Sequence, residues 1–413
     1  MTTPWERRLY TTAHPFAYPL LRALARRGPV VRVPGVGVVV NDAALARAVL
    51  MDGDAFRKDG PGSPGDLWTP VLGPSVLLNM EGEAHRALRR RLTDLFTPSS
   101  TRELCARVLH APLERLADRL GGGEAVDLVD AVRVLAGAVI AEVIGLETGP
   151  GEDTEACWRD LFERGERIVA MVSLRTRRLS PRQVERARAV LGPLGDSAAR
   201  AYAAGDDSTV MGRMRGLGLS EEEARGAAGA FFLTGTETVA TLVPRLVALL
   251  HDTGRLDGPA ATSLTASPAA LDRVIDEAMR VTTPTPVMLR SVHRPADLGG
   301  VRVRPGDRIV IATHNCCRAY GPFDPDGPPH PPELRRLWFG AGPHFCIGHP
   351  LAMAEIRAIV RTVLAAAPLT ITGRAAARRV LIPRYARLIV RSDVAGGVGV
   401  VPSRRAGARG VPS

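Results

Sequence analysis

Apolar positions at the start of the chain keep a helical spacing until Gly28 and Pro29 end it. Two short valine-rich runs follow, Val30 to Val33 and Val36 to Val40, and Pro34-Gly35 between them predicts a hairpin. Asn41 and Asp42 are placed to cap the next helix, which carries Leu45, Val49 and Leu50. From about residue 82 to residue 280 helical patterns dominate. Strand-like patterns return from Val287 to Thr313, with turns at Gly299-Gly300 and Pro305-Gly306, and again near Val380 to Val390 around Pro383. The expected class is mainly α with small β-sheets at one side, an α+β arrangement.

The longest predicted helix begins at Ser220, where Ser220 and Glu223 form a capping-box pattern. It runs through Ala228, Phe231, Phe232, Leu242 and Leu246 to about Leu250, long enough at about 1.5 Å per residue to cross most of a domain. Within it lies Thr234-Gly235-Thr236-Glu237-Thr238. Gly235 costs the helix roughly 1 kcal/mol against alanine, the pattern expected where a neighbour needs room. Thr238 can give its hydroxyl to a carbonyl one turn back or to a bound ligand, and Glu237 beside it can relay protons from solvent. An ordinary helix with a few polar positions is the competing reading of this run taken alone. Pro244 removes one hydrogen bond and disturbs the carbonyl of Ala240, so a kink or an early end is expected there.

With 413 residues, 45% hydrophobic and 23% charged, the chain suits a large globular protein. Length alone suggests two or three domains, but no long linker interrupts the middle, so residues 1–394 are expected to form one domain. The Pro/Gly-rich stretch Gly321 to Pro332 reads as an ordered irregular connection, and residues 395–413 as a disordered basic tail. The sequence reads as lacking any stretch of about twenty apolar residues, so no membrane span is expected. The N-terminus lacks the apolar core of a signal peptide. Cys105, Cys157, Cys316, Cys317 and Cys346 form no CxxC pair, which fits a reducing, cytoplasmic compartment. Net charge is +11, and the basic residues are almost all arginine, with Lys58 the visible exception. Aromatic content of 4% and the absence of a nucleic-acid-binding motif argue against DNA or RNA; an acidic protein partner makes better use of this charge.

Candidate chemistry centres on Cys346, in the run WFGAGPHFCIGHP from Trp338 to Pro350. Phe339, Gly342, Cys346 and Gly348 match F-x-x-G-x-x-x-C-x-G. Gly340 and Gly342 allow tight turns and close approach to a flat ligand, and Gly348 lets the chain enter a helix. A thiolate at a helix N-terminus is stabilised by the backbone dipoles, and such a thiolate is a good axial ligand for haem iron. A free cysteine is more often an inert buried side chain, but the fixed offsets around Cys346 favour the ligand. Glu277 and Arg280 share a helical face, as do His85 and Arg89. With Arg290 and His344, the latter pair are candidate partners for the two carboxylates of haem, although each taken alone reads as a solvated surface residue. An exposed Glu277–Arg280 pair would be worth little.

On these residues the chain resembles the cytochrome P450 family over nearly its whole length, and most closely its soluble bacterial members. FGAGPHFCIG resembles the family's haem-binding loop, which implies Phe339, Gly340 and Gly348 around the cofactor and Cys346 as axial ligand to haem b, iron protoporphyrin IX. Thr234 to Thr238 resembles the oxygen-activating stretch of the family's long central helix, with Gly235 inside it and Glu237 and Thr238 as the acid–alcohol pair. Glu277 and Arg280 match E-x-x-R, a structural network; His85 and Arg89 match H-x-x-x-R and, with Arg290 and His344, would bind the propionates. Three departures stand out. Cys316 and Cys317 follow Asn315 where Arg-Asp is common, leaving the arginine that completes the Glu277 network unassigned; Val239 replaces a frequent threonine; and Pro244 is unusual.

The resemblance implies a monooxygenase that inserts one oxygen of O2 into a small apolar organic substrate, a bacterial natural-product intermediate. Electrons would come from ferredoxin and ferredoxin reductase, an acidic ferredoxin docking near Cys346. Oxidative coupling, desaturation, peroxide-driven oxygenation and a non-catalytic haem-binding sensor are the alternatives. Expected pocket walls are Arg57 to Leu78, Arg164 to Leu179, Phe231 and Phe232, Thr285 to Leu289, and the tip near Pro383 to Tyr385.

Overall fold

A computed structural model describes residues 3–146, 153–172 and 176–393. The predicted tail 395–413 lies outside the described residues, as does part of the stretch Arg164 to Leu179. Helices dominate, and the strands gather into small sheets of five, three and two strands.

The predicted hairpin forms, with Val30–Val33 antiparallel to Gly37–Val40 and Val31 opposite Val39. Its second strand pairs in parallel with Arg308–Ile311, which pairs antiparallel with Met288–Val292, and Phe56–Arg57 closes the far edge. The sheet thus brings Lys58, just past its edge strand, to the same side of the molecule as Arg290. Asp42 caps the helix Ala43–Met51 through the amide of Leu45. Asn41 does not cap; its side-chain oxygen accepts from Asn315 Nδ2 at 2.7 Å, and so joins the hairpin to the short helix Thr313–Arg318.

The central helix spans Glu221–Asp252 and starts with the capping box of Ser220 and Glu223. It does not end at Pro244. Residues 239–250 are buried throughout, so packing on every side holds the turn that proline alone would loosen. Among the described residues it is the helix long and apolar enough to cross a membrane, but 83% of its most apolar window is buried inside the protein. Its polar stretch Thr234 to Thr238 interrupts the apolar run, and its apolar length serves the core. A Cβ on Gly235 would lie 2.5 Å from Ile140 Cδ1, so the room this glycine makes is for the neighbouring helix Leu128–Ile144.

Immediately after Pro244, Arg245 is fully buried. A guanidinium has five N–H donors. Here all five are used: Glu6 Oε1 and Oε2 at 3.1 and 2.6 Å, the Tyr10 hydroxyl at 2.9 Å, and the carbonyls of Thr282 and Pro383 at 2.8 and 3.1 Å. One side chain thereby ties the first helix, Pro4–Ala13, to the central helix, to the end of Pro268–Thr282 and to the segment before the strand Tyr385–Ser392.

Candidate active site

Between the central helix and the cysteine loop lies a cavity of ≈ 550 Å³. Thr234, Gly235, Glu237 and Thr238 line it from the helix; Phe339, Gly340, His344, Cys346 and Gly348 line it from the loop; His85, Arg89 and Arg290 complete the set. Twelve residues far apart in sequence therefore share one space. The expected walls are largely present, with two corrections. Phe232 is fully buried and does not face the cavity, unlike Phe231; the later tip contributes Leu381 and Ile382 in place of Pro383 to Tyr385, because Tyr385 packs into the core.

The loop geometry divides the work of the glycines differently from the sequence reading. Gly340 has φ +83° and borders the cavity, as expected for close approach to a flat ligand. Gly342 has φ +65°, but a Cβ there would lie 2.6 Å from the Leu50 carbonyl oxygen. It makes room for the helix Ala43–Met51, not for a ligand. Gly348 adopts an ordinary φ of −78° at the start of His349–Ala365, so no left-handed turn demands glycine there. Burial pushes the Cys346 thiol up, while the amides of Gly348 and His349 and the cations Lys58 and Arg89 act in the opposite sense.

A cluster of polar side chains edges the same cavity. His85 is 1% exposed, its Nε2 has no hydrogen-bond partner among the described residues, and its ring lies 4.1 Å from that of His344. Burial lowers both imidazoles, His85 to about 3 and His344 to about 2, with neighbouring cations adding to the effect. His344 Nε2 lies 2.9 Å from Glu81 Oε2, but a neutral ring makes that contact no ion pair. Arg89 gives one N–H to the Phe345 carbonyl at 2.7 Å, and Arg290 gives one to Leu289 at 2.7 Å; each retains further donors. Unpartnered donors in a deep pocket, a glycine cradle and a soft sulfur donor together fit haem, a flat macrocycle with two carboxylates and a thiolate-binding metal.

On the central helix, Thr234 and Thr236 spend their hydroxyls on carbonyls one turn back, at 2.8 and 3.0 Å. Thr238 makes no such bond among the described residues and lines the cavity. Glu237 is 6% exposed, so any exchange with solvent passes through its neighbours. Its Oε1 accepts a short hydrogen bond from Arg384 Nη1; Arg384 Nη2 lies 2.8 Å from Glu166 Oε1, which accepts from Arg133 Nη2 at 2.9 Å. Burial raises the Glu237 carboxyl above its ordinary value against the pull of Arg384. This ladder of charges joins Glu237 to Glu166 and Arg133.

Glu277 and Arg280 are 4% and 2% exposed, so they are a buried pair and not the weak surface pair of an isolated motif. Arg280 binds both carboxylate oxygens at 2.7 Å and reaches the carbonyls of Cys317, Gly321 and Pro322. The unassigned third member is a histidine: His330 Nε2 lies 2.9 Å from Glu277 Oε2. Its ring meets Trp338, at the head of the cysteine loop, edge-on at 5.6 Å. The irregular stretch Gly321 to Pro332 thus carries the network's partners. Cys316 and Cys317, fully buried, remain unpaired thiols.

Sequence reasoning did not single out Arg384, His330, Glu81 or Glu355. Glu355 is 4% exposed, its Oε1 has no partner among the described residues, and burial pushes it to about 8. No local motif marks such residues, since their partners are distant in sequence. Lys58 did carry a signal, being the exception among the basic residues, and it lines the cavity.

Comparison with known proteins gives one picture. The family model described as Cytochrome P450 matches residues 268–367. The chain is 30% identical over 376 residues to the cytochrome P450 monooxygenase PikC of Streptomyces venezuelae, covering 85% of this chain and 84% of that protein. It is 29% identical over 308 residues to the erythromycin C-12 hydroxylase of Saccharopolyspora erythraea, covering 71% and 73%. A crystal structure of a P450 EryK mutant with erythromycin B superposes with a TM-score of 0.77 at 24% identity, covering 94% of this chain and 99% of that one.

Proposed function

The chain belongs to the cytochrome P450 family and is a haem b monooxygenase, and from that premise we propose that its substrate is an apolar bacterial natural-product intermediate, oxygenated with electrons from a ferredoxin and its reductase. One observation carries the reading: Cys346 and Thr238 open onto a single cavity whose remaining walls are chiefly apolar, among them Leu67, Trp68, Phe231 and Val287. Relatives named for hydroxylating erythromycin and mycinamicin support the substrate class.

In this reading Cys346, beside the amides of Gly348 and His349, would hold the iron through its sulfur, and His85, Arg89, Arg290 and His344 would hold the propionates. When bound, haem supplies a metal that accepts electrons and activates dioxygen. The Thr238 hydroxyl, free of the helix backbone, holds a proton in the cavity. Glu237 replenishes it: the Arg384 bond occupies Oε1, while Oε2 makes no hydrogen bond among the described residues. Adjacent helix positions point in different directions, so Glu237 bridges the charged ladder and Thr238 the reaction space. Thr234 and Gly235 act through packing and backbone, with Thr234 Oγ1 already bonded to Ala230. The +11 net charge supports docking of an acidic ferredoxin.

The test is spectral and then chemical. Reduced parent protein with carbon monoxide is expected to give the thiolate signature, and Cys346→Ser to lose it; an unchanged mutant spectrum removes Cys346 as ligand. A screen of macrolide and other polyketide intermediates, followed by optical difference spectra, then identifies ligands whose turnover under labelled O2 should add one labelled oxygen.

A further inference from the structure

We propose that Lys58 is a haem-carboxylate ligand, joining Arg89 and Arg290 at the propionate end of the cavity. The inference rests on the haem reading of Cys346 given above. All but one of the 54 basic residues are arginine, and the exception lines the cavity beside Arg89 and Arg290.

Lys58 is held inward by its backbone. Its N–H donates to Glu81 Oε1, and its carbonyl accepts from the Gly65 amide at 2.8 Å. A Cβ at Gly65 would lie 2.8 Å from that carbonyl oxygen, so the close approach requires glycine. On either side the charges turn away and satisfy each other: Arg57 binds both carboxylate oxygens of Asp59 at 2.7 and 2.6 Å. The Lys58 side chain joins no ion pair or hydrogen bond among the described residues.

The groups that face it are Arg290, Glu81, Cys346, Arg89, His85 and His344. Lys58, Arg89 and Arg290 stand together on the cavity wall, three cationic side chains where a dicarboxylate ligand would lie. Burial and the adjacent Arg290 lower Lys58 to about 7 in the protein alone, the sign expected for an ammonium awaiting an anion. A compact ammonium with three donors serves a carboxylate as a point charge, and the unbranched stem reaches it from the pocket wall.

The experiment uses the haem-loaded enzyme. Lys58→Met keeps the stem and removes the charge; it should shift a propionate bending band in the resonance Raman spectrum. Haem transfer to an acceptor protein should be roughly ten- to a hundredfold faster, the range for losing one charge-assisted hydrogen bond. Lys58→Arg should restore both readouts. The single lysine also permits a measurement without mutation: amine-reactive labelling of Lys58 should be slow with native haem and faster with the dimethyl ester. A haem-loaded parent and Lys58→Met protein with identical bands and transfer rates, or equal labelling with both haems, overturns the role of Lys58 alone. A parent protein that takes up no haem overturns this inference together with the reading beneath it.

Discussion

Replacing Arg245 with methionine tests how the central helix is anchored. Among the described residues, the variant leaves the Glu6 carboxylate, whose side chain is 3% exposed, with Arg318 at 3.8 Å as its remaining ion-pair partner. It also removes a donor from the Tyr10 hydroxyl and from the carbonyls of Thr282 and Pro383, of which the first keeps the Tyr10 hydroxyl at 3.3 Å. Removing one partner of a buried pair costs about 3–5 kcal/mol, because the other charge remains buried and uncompensated. Unfolding entropy of about 2.1 cal/mol/K per residue, over a chain of this length, converts that to a Tm lower by about 3–6 °C. The assay is thermal unfolding by circular dichroism at matched haem content, since bound cofactor itself stabilises. Glu6→Gln added to Arg245→Met should recover about half of the loss, the mark of a specific charge partnership. A single mutant within about 1 °C of the parent, or a double mutant whose losses simply add, refutes the reasoning. The same variant frees the Pro383 carbonyl next to Arg384, so coupling of electrons to product should fall as well.

Thr238→Ala should keep haem and substrate binding while most reducing equivalents go to peroxide; equal coupling in mutant and parent, measured as product per NAD(P)H, counts against its role. Burial alone would raise the Glu277 carboxyl, but Arg280, His330 and the Asp324 amide together lower it below the ordinary 4.5. A lowered folded value gives stability that is fully present above pH 4.5 and is lost as pH falls through that folded value, so the Tm gap between parent and Glu277→Gln should narrow on acidification. Gly235→Ala gains about 1 kcal/mol of helix propensity but overpacks Ile140 by about 1–3 kcal/mol, and Ile140→Val, which removes the Cδ1 it meets at 2.5 Å, should relieve the strain in chemical denaturation.

The site was legible where chemistry is written locally. The run around Cys346 stands out as a candidate because loop, sulfur and helix start are contiguous. The Thr234–Thr238 stretch stands out because polar residues and a glycine interrupt an apolar helix. His330 was illegible as the third partner of Glu277, since it reaches the carboxylate across 53 positions through a stretch with no regular period. Arg384 was missed for the same reason, its contact to Glu237 spanning 147 positions.

By itself the sequence determined the class of fold, the capped ends of its helices, the hairpin and the candidate sulfur ligand, all of which follow from spacings within one turn or one loop. Tertiary structure alone decided which polar residues are buried and with whom. It kept the central helix running through Pro244, turned Phe232 away from the cavity, assigned Gly342 to a neighbouring helix, and neutralised His85 and His344. These outcomes depend on desolvation and on close approach between distant segments, and neither quantity exists until the chain has packed.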